Sequence, residues 1–228
     1  MNCSVITFPG SNCDHDAMFA TEYAGWKVKN VWHEEKTLPT GTDLVIIPGG
    51  FSYGDYLRSG AIARFAPIMT DVCKFAEKGG FIIGICNGFQ ILTESQLLPG
   101  VLLKNKCLSF ICKDINLKVV NNQTAFTNKY MGNEVIKLPI AHGDGNYYAD
   151  EDIINELESE NRIVFRYSDE NGMITNKANP NGSINNIAGI INSRGNILGM
   201  MPHPERYVDK IVGGSDGIRL FLGIMESF

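Results

Sequence analysis

The sequence contains no Cys-x-x-Cys pair and no paired Cys/His spacing of the zinc type, although it has six cysteines. Cys3, Cys13, Cys73, Cys86, Cys107 and Cys112 are scattered, and "CDH" (Cys13 to His15) and "CLSFIC" (Cys107 to Cys112) are each only half of any site. Spacing therefore predicts no metal site, and a reduced chain is the simplest reading. No basic run occurs, and the formal net charge of −5 argues against nucleic-acid binding. No segment approaches the ~18 consecutive apolar residues that a membrane span requires. The start, "MNCSVITFPG", lacks the basic region, hydrophobic stretch and cleavage site of a signal peptide. A cytoplasmic location is expected. No internal repeat, low-complexity tract or obvious linker interrupts the chain.

What is present is globular: 44% of the 228 residues are hydrophobic and 20% charged, enough to build a core without disulfides. Short apolar runs alternate with longer amphipathic ones. "CSVITF", "KVKNVW", "DLVIIPGG" and "FIIGIC" read as strands. "DHDAMFATEYAG", "AIARFAPIMTDVCKFAEKGG" (interrupted at Pro67) and "NGFQILTES" read as the helices between them. Strands apolar on both faces and separated by helices predict a parallel sheet with helices on both faces. The later third differs, with short strand candidates at "DINLKVV", "VIKLPIA", "RIVFRYS", "NIAGIIN" and "NILGMMP". "DEDIINELESE" and the closing "GSDGIRLFLGIMESF" read as its helices. The expectation is one α/β domain over residues 1–228, mainly parallel, with a small antiparallel extension.

Three stretches carry chemistry. In "IIGICNGFQIL", Cys86 lies between two glycines where a strand gives way to a helix, the pattern of a nucleophile elbow. Such a bend leaves little room for neighbouring side chains and aims the sulfur at a helix N-terminus, which favours thiolate. Gln90, four residues on, shares that helix face. A buried structural cysteine is the plainer reading of Cys86, and an elbow needs a base. In "MMPHPER", the prolines predict an extended segment, which puts His203 and Glu205 on one side; a carboxylate beside an imidazole orients it and stabilises its charged form. In "PGGFSYGDYLRSG", glycines ending a strand leave backbone N–H groups free for an oxyanion hole or an anion. No Gly-Lys-Ser/Thr follows, so this is not a P-loop. In an α/β sheet, ligands bind at the carboxyl edge, where loop and elbow meet. His142, in "PIAHGDGNYY", sits in a loop-like segment and could contact a ligand or a partner, while His15 and His33 read as ordinary surface or helix residues.

"GICNGFQIL" and "MMPHPER" resemble the nucleophile and His-x-Glu motifs of the class I (triad) glutamine amidotransferases. "FPGSNCDHD", "GGFSYGDYLRSGAIA", "PIAHGDGNYY" and "NPNGSINNIAGIINSRGNILGMMPHPER" narrow the resemblance to the glutaminase subunits of phosphoribosylformylglycinamidine synthases, along essentially the whole chain. The resemblance implies a flavodoxin-like fold and hydrolysis of L-glutamine. It implies ammonia delivery to a large synthetase subunit in purine synthesis, commonly with a small third subunit. It implies Cys86 as nucleophile, His203 as general acid/base and Glu205 as its orienter. Gly50 or Phe51 N–H with Asn87 N–H would form the oxyanion hole, and Gln90 would line the glutamine site. No cofactor is implied for this chain, since ATP and Mg belong to the synthetase. In that family the middle stretch commonly reads AHGEGRY, whereas Asp144 and Asn146 stand here at the Glu and Arg places, so the resemblance assigns no partner contact to that loop. Two rival readings are a cysteine hydrolase acting without a synthetase and a binding protein that has lost its chemistry. The first has no need of Gln90 or the extended matches, and the second would be expected to lack one of Cys86, His203 and Glu205.

Overall fold

A computed structural model describes residues 1–228. Its strands are β1 (Asn2–Thr7), β2 (Lys27–Trp32), β3 (Leu44–Ile47), β4 (Phe81–Ile85), β5 (Val101–Leu103), β6 (Ile111–Val119), β7 (Val135–His142), β8 (Asn146–Tyr148), β9 (Ile163–Ser168), β10 (Ile187–Ile191) and β11 (Ile197–Met200). Its helices are α1 (Asp14–Tyr23), α2 (Pro67–Glu77), α3 (Asn87–Glu94), α4 (Glu151–Ser159) and α5 (Ile218–Met225). A nine-stranded sheet runs β2-β1-β3-β4-β11-β10-β9-β6-β7. The first five strands pair in parallel and the remaining pairings are antiparallel.

The fold follows from the apolar runs. All four residues of β3 and of β11 are buried, as a strand covered on both faces must be. Helix α1 packs on β1 and β2 and against α5, and α3 packs on β3, β4 and β11. Pro67 opens α2 at its first position, where the missing N–H costs nothing. One cluster of 57 buried residues joins the parallel and antiparallel halves in a common core. No helix is long and apolar enough to cross a membrane.

The mixed α/β, flavodoxin-like architecture agrees with the sequence reading, and the antiparallel extension proves to be four strands of the same sheet. Other details differ. Val101–Leu103 and Asn146–Tyr148 form a separate two-stranded sheet, too short to show a period. His142 is not in a loop: it ends β7 and is buried. His33 is neither helical nor on the surface, but buried just past β2, with its Nδ1 bonded to the Tyr53 hydroxyl at 2.7 Å. Beyond His203, "PER" is a 3-10 turn rather than extended chain, because Pro204 is well suited to begin a helical turn. The proline does restrict its predecessor, and His203 is non-helical at φ −103°, ψ 87°.

Candidate active site

Strand order decides which loops meet. β4 and β11 are parallel neighbours with Ile85 beside Met200, so Cys86 and the segment after Met201 leave the sheet side by side. The Cys86 N–H donates to the Met200 carbonyl at 2.8 Å. β3 flanks β4 on the other side and delivers Gly49 and Gly50. β1 follows and delivers Cys13. All four loops lie at the carboxyl edge, the usual ligand edge of such sheets.

Cys86 has φ +51° and ψ −104°, a conformation that side-chain-bearing residues rarely adopt. The bend is held because α3 cannot back away: all eight of its residues are buried. A Cβ on Gly88 would lie 1.9 Å from the Ile47 carbonyl oxygen, so helix and strand touch backbone to backbone. Gly88→Ala is expected to destabilise the protein by about 3 kcal/mol, lowering Tm by roughly 6–12 °C in a thermal melt. An unchanged Tm would show that α3 can shift outward.

The imidazole of His203 is 1% exposed and its Nδ1 meets Glu205 Oε1 at 2.6 Å, with both side chains enclosed. Burial alone would keep the ring neutral. The Glu205 carboxylate, and after it the nearby sulfurs of Cys86 and Cys13, outweigh burial and hold its pKa well above the ordinary imidazole value. Nε2 has no aligned hydrogen-bond partner; the sulfurs favour the charged ring without forming well-directed bonds. The Cys86 sulfur itself lies 3.7 Å from the Ala141 carbonyl oxygen.

Beside Cys86 is a cavity of about 100 Å³, lined also by Gly50, Phe51, Asp55, Ser59, Gln90, Phe110 and residues 141–144. Phe51 N–H is committed to the Gly10 carbonyl at 2.9 Å, whereas the Gly50 N–H has no acceptor in the protein. Asn87, at the first turn of α3, also presents a free N–H. Of the alternatives Gly50 and Phe51, only Gly50 therefore has a donor to offer. Gly50 sits at φ +150°, and a Cβ there would lie 2.7 Å from Ser11 Cα, so glycine is required by both conformation and space. Gln90 is fixed at both ends: its Oε1 accepts from Asn87 Nδ2 at 2.8 Å and its Nε2 donates to the Asp144 carbonyl at 2.7 Å. Burial, aided by the charge of Asp144, pushes the Asp55 carboxyl up to about 6. Burial, and then the charge of His203, lowers His142 to about 4, so it stays neutral. A larger recess of about 400 Å³, between β6 and residues 168–178, contains neither thiol nor histidine.

Two side chains at this edge, Cys13 and Arg206, are not among the site residues expected from the sequence. Cys13 is 1% exposed, and its sulfur, the His203 ring and the Glu205 carboxylate bring ligating atoms within 4.8 Å of one another. Such a trio could hold a thiophilic metal, but here Arg206 Nη2 already donates to the sulfur at 3.0 Å and supplies its positive partner. Cysteine spacing is silent because 190 positions separate Cys13 from His203; its place at the end of β1 is the usable signal.

Residues 1–214 match the family model of the CobB/CobQ-like glutamine amidotransferase domain. The chain is 53% identical to the phosphoribosylformylglycinamidine synthase subunit PurQ of Salinibacter ruber, over 97% of this chain and 94% of that one. It is 51% identical to the subunit of the same name from Thermus thermophilus, over 99% and 98%. Among solved structures, that of PurLQS from Thermotoga maritima superposes with a TM-score of 0.88 at 44% identity, covering 99% of this chain and 98% of that one. A thiol on a strained strand-to-helix turn, facing a carboxylate-backed imidazole, is thus met by likeness from end to end, and the chain belongs to the CobB/CobQ-like glutamine amidotransferase family, among its PurQ subunits.

Proposed function

We propose that this chain is the glutaminase subunit of phosphoribosylformylglycinamidine synthase: it hydrolyses L-glutamine to glutamate and ammonia and passes the ammonia to an ATP-dependent synthetase subunit in the cytoplasm. The observation that carries this reading is the convergence of the strained Cys86 turn with the buried His203–Glu205 pair at one sheet edge. The relatives named as subunits of that synthase support the choice of pathway. ATP and Mg act on the synthetase, this chain takes no cofactor of its own, and a small third subunit completes the assembly.

The chemistry is acyl transfer. The Cys86 thiolate attacks the side-chain amide carbon of glutamine, and the Gly50 and Asn87 N–H groups hold the developing oxyanion. His203 protonates the departing nitrogen, which leaves as ammonia and gives a glutamyl thioester. The ring then takes a proton from water as the water attacks the thioester, and glutamate leaves with the thiolate restored. Glu205 holds the ring in the required tautomer throughout. Gln90, clamped between Asn87 and Asp144, forms one wall of the glutamine site, and Phe51 lies at its rim.

Co-purification with the synthetase chain, followed by assay of amidine formation from glutamine and from ammonium, tests the reading. Glutamine-driven synthesis is expected only when both chains are present. Peptide or ester cleavage by the isolated chain at rates matching glutamine, with no effect on the synthetase, would assign it instead to the cysteine hydrolases.

A further inference from the structure

The glutaminase mechanism leaves one buried nucleophilic group at the site without a task. Cys13 precedes α1 and ends the loop after β1, with its N–H bonded to the Gly49 carbonyl at 3.2 Å. Its thiol donates to Asn12 Oδ1 at 3.1 Å and its sulfur accepts from Arg206 Nη2 at 3.0 Å. The sulfur, a His203 ring nitrogen and a Glu205 carboxylate oxygen lie within 4.8 Å of one another. The point that a Gly49 Cβ would occupy lies 2.8 Å from the ring's Cε1 and 3.1 Å from the Cys13 sulfur, so both groups pack over the bare side of Gly49. Cys13 does not line the cavity beside Cys86. The sulfur therefore stands beside the imidazole and outside that cavity.

We propose that Cys13 is a positioning residue for the acid–base imidazole: its sulfur, fixed by Arg206, packs beside the His203 ring and, together with Glu205, favours the protonated ring that faces Cys86. This inference rests on the glutaminase reading for its catalytic meaning, but the contact itself does not. A polarisable sulfur is a weak acceptor, yet in a site closed to water a weak acceptor beside a cation has a large relative effect. Arg206 draws electron density toward one side of the sulfur and fixes its position, while Asp16 steadies the guanidinium from α1 at 3.8 Å. The groups that face His203 are thus Glu205, Cys86, Cys13 and, from the end of β7, the neutral His142, with the Arg206 guanidinium behind the Cys13 sulfur. The other charged residues on the elements packed around it turn elsewhere. Asp14 faces Thr7, His15 faces solvent, Lys137 pairs with Asp114 and Arg219 with Glu134.

The test uses the assembled complex and the pH profile of glutamine-driven kcat/KM, whose basic limb reports the imidazole when thiolate and imidazolium form the active pair. Cys13→Ala removes the acceptor, so the limb is expected to move down by roughly half a unit to one unit, with KM within about twofold of wild type. Cys13→Ser keeps an acceptor for Arg206 and should restore most of the limb. A residue that only fills space would lower Tm in Cys13→Ala and leave the limb in place; that result overturns the proposal. If Cys13→Ala does not fold, Cys13→Val, similar in size and without an acceptor, takes its place with the same expectation. An NMR titration of labelled histidine on the chain alone reads the ring directly, without turnover: His203 must titrate lower in the alanine or valine variant than in wild type. An absence of glutamine turnover in the wild-type complex would count against the glutaminase reading, and the NMR titration would still decide the role of Cys13.

Discussion

Replacing Cys86 by alanine is expected to reduce glutamine-driven amidine synthesis by roughly 10³–10⁶-fold, while synthesis from added ammonium continues at the wild-type rate. The first half of that result follows from the geometry, the second from the division of labour between the chains. The sulfur is the only group at the bend that can bond to the amide carbon, and no thiol other than Cys86 lines the cavity. The fold should survive, because alanine keeps a Cβ at φ +51° and so neither adds to nor relieves the strain of the turn. Ammonium bypasses this chain altogether and reports only on the synthetase. Glutamine-dependent turnover retained by Cys86→Ala would remove the nucleophile assignment, and loss of both activities would mean that the substitution had disturbed assembly.

The second large effect belongs to Glu205. Glu205→Gln is nearly isosteric, yet kcat is expected to fall by roughly 10³–10⁴-fold. The carboxylate only accepts hydrogen bonds, so it holds the proton on Nδ1 of His203 and leaves Nε2 turned toward the thiol. An amide can donate instead, which stabilises the opposite tautomer and withdraws the base. The charge effect has the same sign. Glu205 is the chief influence that raises the His203 pKa against the cost of burial, so without it the ring loses its proton at lower pH and the basic limb moves to more acidic values. KM should barely change, since Glu205 does not line the cavity. Steady-state kinetics at several pH values, with a thermal melt to establish that the variant is folded, distinguish this outcome from unfolding. A kcat within tenfold of wild type would show that Glu205 is not the orienting group.

The sequence reveals the site better through its strands than through its loops. "LVII", "FIIGI" and "ILGM" are apolar throughout, and a run with no polar face has one place to go, the middle of a covered sheet. Once those strands are neighbours, Cys86 and His203 must meet at their ends. The His203–Glu205 pairing expected from an extended chain exists for a partly different reason. Extended geometry holds only up to His203, and a tight turn begun by Pro204 brings the carboxylate around. The choice between the Gly50 and Phe51 donors is not legible, because it depends on the bond from Phe51 to Gly10, far back in the sequence. His33 and Cys13 escape the sequence for a related reason. Each is an isolated residue whose role depends on a partner distant in sequence, Tyr53 for one and Arg206 for the other. Neither periodicity nor spacing records such a partner.

The complete enclosure of α3 has a further consequence, for how the rate can be controlled. A helix with no exposed residue and a strand carbonyl pressed against its first turn offers a binding protein nothing to push on. The exposed rim is the part of the site a docked protein can reach: there Tyr53, Asp55 and Leu57 sit in left-handed backbone, and a largely exposed Arg58 grips Glu94 at the far end of the helix. The nucleophile is thus built as an anvil, and tuning is left to the parts that a partner can touch.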